Sequence, residues 1–135
     1  MTLILLINLK KRVDRLTKMS SRLKGLDFTV IQATEGSNLD HSISRIKSSL
    51  SNNEKACSNS HVRALKYFLN TNEKTCIILE DDVVFSNNFF TLSRNVDELP
   101  SEVEIVKLET AQKKVILKKP FSVFMGLKLY ELNSF

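Results

Sequence analysis

Glu80, Asp81 and Asp82 stand in a row directly after the apolar run Thr75–Leu79, within the stretch ILEDDVVF. Adjacent carboxylates repel one another unless a cation or a proton sits between them. Oxygen-only donor sets suit Mg²⁺ or Mn²⁺, and such an ion can clamp a diphosphate. In open α/β sheets ligands collect at the carboxyl ends of strands, which is where this chain puts its acids. A solvated acidic turn is the plain alternative. A Walker-type strand also ends in acids, but its GxxxxGK[ST] loop has no counterpart, since the glycines are Gly25, Gly36 and Gly126.

Other reactive side chains are few. Cys57 and His61 lie four apart, a spacing that puts both on one side of a helix. A zinc site needs about four ligands, and the spacing offers two. With no CxxC pattern, Cys57 and Cys76 read as two small buried thiols in a reduced, intracellular chain.

The elements that must carry these residues follow from periodicity. Leu3–Leu9 is a continuous aliphatic run of strand length, the pattern of a strand buried on both faces. Over Lys11–Lys24, Val13, Leu16, Met19 and Leu23 recur at helical spacing, with a basic outer face and Gly25 as the stop. Phe28–Ala33 is short and β-branched, so the first 33 residues predict a right-handed βαβ unit with a parallel pair. Residues 34–53 are polar and predict a long loop with one short helix near Ile43–Leu50; a loop of that length in a compact domain is usually functional.

Ser51 and Glu54 have capping-box spacing, and the helix they open is expected to face Cys57, His61, Ala64, Leu65 and Phe68 to one side. Thr75–Leu79 is a third buried strand. A helix capped by Asn87 or Asn88 is expected to run to Pro100, and Val103–Leu108 alternates like a strand with one wet side. Val115–Leu117, Phe121–Met125 and Leu127–Leu132 predict short strands joined by Lys-Pro and Met-Gly turns.

The whole chain is 135 residues of 15.4 kDa, room for one domain. The 42% hydrophobic and 26% charged content, with three Gly and two Pro, excludes collagen-like and Gly/Pro-rich disordered classes. No apolar run approaches the ~18–20 residues of a membrane span, and MTLILLIN lacks the basic flank and cleavage site of a signal peptide. The formal charge of +5 invites an anionic partner. Residues 10–24 hold seven basic positions against one acid, so a metal that brings an anion to the acidic spot at 80–82 reconciles the two signs; an ordinary solvated basic surface is the alternative.

Four blocks in order, LILLINLKKRVDRLTKM, FTVIQATEG, SNNEKACSNSHVRAL and IILEDDVVFSNNF, with VEIVKLE as a weaker fifth, carry a specific resemblance. Over residues 3–109 the chain resembles the N-terminal part of glycosyltransferase family 25, the lipopolysaccharide and lipooligosaccharide glycosyltransferases. Ala56 departs from the pattern, standing where the family usually has Gly. The resemblance implies an α/β, GT-A-like (Rossmann-related) fold, with a mostly parallel sheet flanked by helices. It also implies a UDP-sugar donor, often UDP-galactose, a divalent Mn²⁺ or Mg²⁺, and a glycan or lipooligosaccharide acceptor, with inversion at the transferred carbon.

Carried onto these residues, the resemblance gives Asp81 and Asp82 the metal and Glu80 a supporting place. It sets Asn8 and Arg15 near the nucleotide, and Ser60 and His61 in the donor pocket. Arg15 as a plain helix-surface residue and His61 as a satisfied core histidine remain open alternatives. Glu109, at the end of the next expected strand, is the candidate for the catalytic base.

Family members continue past the position of Phe135. The expectation is therefore a single glycosyltransferase domain over 1–135, truncated at the C-terminus, whose acceptor region is missing. The alternative is a catalytically inactive fragment that binds a nucleotide-sugar or self-associates as a homodimer through open sheet edges. The expected location is cytoplasmic, with the basic helix available for peripheral contact at the inner membrane. No nucleic-acid partner is expected, because no aromatic platform or known motif accompanies the charge.

Overall fold

The computed structural model describes residues 2–108 and 117–132, which divide into two compact units, 1–87 and 88–135. The first contains strand β1 (Leu3–Asn8), helix α1 (Val13–Arg22), strand β2 (Thr29–Gln32), a short helix α2 (His41–Ser44), the long helix α3 (Asn52–Leu69) and strand β3 (Cys76–Glu80). The second contains helix α4 (Asn88–Asn95) and strands β4 (Leu117–Phe124) and β5 (Leu127–Leu132).

The three strands of the first unit are all parallel, in the order β2-β1-β3. β1 is therefore central, and Leu5 and Leu6 are fully buried, as an uninterrupted aliphatic run requires. From β1 the chain crosses to β2 on one side, then returns across β1 to reach β3 on the other. Two right-handed crossovers in opposite directions put their helices on opposite faces. The register sorts the side chains accordingly. Leu5 pairs with Ile78, and Ile7 with both Ile31 and Glu80, so these share the face that Ala64 of α3 covers. Ile4, Leu6, Ile77 and Leu79 are buried on the other face, the α1 side.

Both crossover helices bury what their sequences allow. On α1, Met19 and the following Leu23 are fully buried, and Gly25 closes the segment with φ +91°, a conformation that suits glycine. On α3, the buried residues are Ala56, Ser60 and Ala64, one small side chain per turn, and the helix touches all three strands. Ala64 is on the expected face and Phe68 packs against the same core, so that part of the expectation stands. Cys57 and Leu65 are exposed instead of buried, because small side chains allow the closer approach to the sheet. The two cysteines are free, with Cys76 half-buried.

The capping box that opens α3 forms as expected: Glu54 N–H donates to Ser51 Oγ at 3.3 Å, and Ser51 N–H donates to Glu54 Oε2 at 2.8 Å. Ahead of it, the loop folds as a short 3₁₀ turn, Gly36–Asn38, and α2, which ends at Ser44, well short of Leu50.

In the second unit, α4 runs from Asn88 and passes into a 3₁₀ turn at Val96–Glu98 before Pro100. Val103–Leu108 is not a strand: among the described residues it pairs with no ladder, and Ile105 is 85% exposed. Alternation alone cannot make a strand without a neighbour to take its hydrogen bonds. The β4–β5 hairpin is antiparallel and closes through Met125-Gly126, both at positive φ (51° and 75°), the two-residue turn whose twist matches its strands. Lys119-Pro120 is not a turn but lies inside β4, where the register slips on both sides of Pro120 for want of an N–H. Val115 lies outside the described residues.

Leu5 is fully buried at the centre of the sheet, so Leu5→Ala should lower the unfolding free energy by about 2–5 kcal/mol, measured by urea denaturation. The Ser51 hydrogen bonds hold the Glu54 carboxyl below its ordinary value. Their contribution is complete above the usual glutamate pKa and fades as pH falls through the lower folded one. The stability gap between the native chain and Ser51→Ala should therefore narrow on acidification, as followed by thermal melts across the acid range.

Candidate functional site

The strand order reverses between β1 and β3, and a cleft of about 410 Å³ opens at the carboxyl ends of these strands. That volume lies within the range of small-molecule sites, ~300–1,000 Å³. Its walls come from the start of α1 (Lys11, Arg15), the segment after β2 (Ala33–Ser37), the first half of α3 (Asn53, Ala56, Cys57, Ser60, His61) and the acids Glu80, Asp81 and Asp82. Ile7 and Leu9 add apolar surface.

Asn8, the last residue of β1, is buried, and its amide is the keystone. Nδ2 donates to Asp81 Oδ2 at 2.8 Å and to the Arg12 carbonyl at 3.2 Å. One side chain thus ties the end of β1 to the end of β3 and to the chain entering α1. Arg15 completes the arrangement: Nη1 donates to Asp81 Oδ1 at 2.8 Å and to Asp82 Oδ2 at 3.1 Å. Two carboxylate oxygens already converge on one cationic nitrogen. The Asp81 side chain is 10% exposed and that of Asp82 is 59% exposed, so the pair has one buried and one solvent-facing member.

Glu80 leaves in the other direction. Strand alternation turns it toward α3, where His61 Nε2 lies 2.9 Å from Oε1 and the Cys57 thiol donates to the same oxygen at 3.8 Å. Burial, followed by the Glu80 charge, pushes the Cys57 thiol up from its ordinary pKa, so it is not an activated thiolate in this state. The three consecutive acids therefore do not act as one cluster. Their partners divide them between the two crossover helices.

Ser60 is a brace rather than a free hydroxyl. It donates to the Ala56 carbonyl at 2.7 Å and accepts from the Thr34 N–H at 2.9 Å, while Asn59 Nδ2 reaches Thr34 Oγ1 at 2.8 Å. These bonds pin the segment after β2 against α3. Two residues on, Gly36 faces the Asn53 side chain so closely that a Cβ there would force the Asn53 amide to move aside. Lys11 Nζ pairs with Glu35 Oε2 at 3.0 Å across the mouth of the cleft. By contrast, the Arg12–Asp14 pair, which holds the Asp14 carboxyl at about 2, is a surface contact that lines no part of the cleft.

Asn8, Arg15, Ser60, His61, Glu80, Asp81 and Asp82 are thus brought to one end of the sheet. Glu109 lies outside the described residues. Cys57, Lys11, Thr34 and Asn53 are further members of this region. Cys57 was accessible from its four-residue offset to His61, but the other three needed the fold to bring them in.

The chemistry of this end of the sheet suits a phosphorylated ligand. Lys11 and Arg15 supply charge and bidentate hydrogen-bonding capacity, and Asp81 and Asp82 supply hard oxygen donors for Mg²⁺ or Mn²⁺. The convergence of both carboxylates on Arg15 Nη1 shows that a single positive centre can satisfy the two together. Among the described residues no helix is long and apolar enough to cross a membrane.

In comparison with known proteins, the family model described as glycosyltransferase family 25 (LPS biosynthesis protein) matches residues 1–132. No curated protein and no solved structure gives a significant match.

Removing the keystone amide should be costly, since Asn8→Ala leaves a nearly buried carboxylate without one of its donors. The expected loss is about 1.5–3 kcal/mol of unfolding free energy in denaturant titrations, the range for hydrogen bonds to charged groups.

Proposed function

The chain belongs to glycosyltransferase family 25, and on that premise we propose that it transfers a sugar, galactose, from a UDP-sugar to a lipopolysaccharide or lipooligosaccharide acceptor with inversion. Family membership implies the glycosyltransferase activity itself. The finer reading is supported above all by the cleft at the strand-order reversal, which joins basic and acidic walls in the way a metal-bridged diphosphate requires.

In this reading Asp81 and Asp82 hold Mn²⁺ or Mg²⁺, with Asn8 fixing the orientation of Asp81. The ion, when bound, supplies positive charge to the diphosphate as it departs. Arg15 and Lys11 are the residues that reach the phosphate oxygens directly. Ser60, through Thr34, keeps the far wall rigid so that the donor is bound in one orientation. The acceptor hydroxyl forms its bond to the anomeric carbon from the side opposite UDP as the bond to the diphosphate oxygen breaks, which inverts that carbon. The proton goes to a carboxylate base, for which Glu109 is the candidate.

The reaction's partners are then a UDP-sugar and a glycan, at a cytoplasmic site with peripheral contact at the inner membrane, whereas self-association as a homodimer belongs to the alternative of an inactive fragment.

Calorimetric titration with UDP-galactose tests it. Binding is expected with Mn²⁺ and should weaken about tenfold or more without the ion or in Asp82→Ala, whose exposed position spares the fold. Absent binding, or affinity indifferent to both changes, would overturn the reading.

A further inference from the structure

We propose that Cys57, His61 and Glu80 form a second metal site, for a divalent ion of the zinc class, separate from the Asp81–Asp82 pair. The three side chains offer a sulfur, an imidazole nitrogen and a carboxylate oxygen, all within 4.8 Å of one another. His61 Nε2 and Cys57 Sγ lie 2.9 and 3.8 Å from the same oxygen, Glu80 Oε1. Ligand atoms around a tetrahedral zinc stand roughly 3.3–3.8 Å apart, given bond lengths of about 2.0–2.3 Å. The observed separations straddle that spacing, so small rotations of side chains at the cleft edge admit an ion.

The donor set decides the metal. A mixed sulfur, nitrogen and oxygen site selects Zn²⁺ or Co²⁺ and is poor for Mg²⁺, whereas the carboxylate pair has the opposite preference. Placement supports the assignment. Cys57 and His61 project from successive turns of α3, and Glu80 comes from the end of β3, a strand fixed by its ladder with β1. Two ligands four apart fall short of a site in the sequence, and the fold delivers the third from 19 residues beyond His61. All three line the cleft, so the fourth position of a tetrahedral ion opens to water or to an anionic oxygen of a bound ligand. An ion here would also fasten α3 to β3 at the wall facing away from Arg15.

This site does not depend on the donor reading, and its test needs no sugar nucleotide. The full chain is titrated with Co²⁺, and the sulfur-to-cobalt charge-transfer absorption is followed. We expect one ion per chain in tetrahedral coordination, displaced by stoichiometric Zn²⁺ and not by excess Mg²⁺. Cys57→Ser, at an exposed position, should abolish the band, and His61→Ala should weaken binding about tenfold or more. Cys76→Ser and Asp82→Asn should leave both unchanged, and circular dichroism of the metal-free variants checks the fold. The proposal is overturned if no thiolate band develops, if the band is lost in Cys76→Ser instead, or if affinity is unchanged in both Cys57→Ser and His61→Ala.

Discussion

The hydrogen bond from Asn8 to Asp81 holds together the ends of two strands that leave the sheet for different destinations. At a strand-order reversal the loops diverge, and the space between them is open by topology. A polar side chain must span that opening where the aliphatic ladder stops, and Asn8 is the last residue of its run with the donors to do so. Its second hydrogen bond, to the carbonyl of Arg12, fixes the path into α1 and thereby the place of Arg15. The acids, the guanidinium and the first turn of the helix are consequently positioned by one amide.

The end of β3 does the rest. Because β3 runs straight into its acids, Glu80 ends the strand on the α3 face while Asp81 and Asp82, in the turn that follows, both meet Arg15 of α1. Glu80 meets the imidazole and thiol of α3, while Asp81 meets the guanidinium of α1. A stretch that is uniform in composition becomes two environments of different chemical hardness, one built of oxygen donors and one of mixed donors.

Much of this was legible in the residues. The aliphatic run of β1, the Ser51–Glu54 box and the acids closing β3 each declare themselves locally, since each rests on contacts within a few positions. The division of the acids was not legible, because it depends on pairing between Ile7 and Glu80, far apart in the chain. On α3, Ala64 and Phe68 hold to the expected face, but hydrophobicity also favours Leu65, whereas close packing against the sheet selects the small Ala56 and Ser60 beside Ala64. Val103–Leu108 and Pro120 show the same gap from the other side, since neither alternation nor a proline states whether a neighbouring strand exists. The family blocks were visible as motifs, and the match over residues 1–132 agrees with them.

The placing of β1 between strands from opposite ends of the unit also governs the order in which the protein can be made. Its partner β2 follows closely, but the Asp81 that completes the site is 73 residues downstream of Asn8. At a synthesis rate of ~5–20 residues per second, roughly 4–15 s separate the two at the ribosome. For that interval the aliphatic strand β1 has one open edge, since β3 has not yet been translated. The nascent chain must keep that edge from other strands, and the cleft takes shape only when β3 joins the sheet.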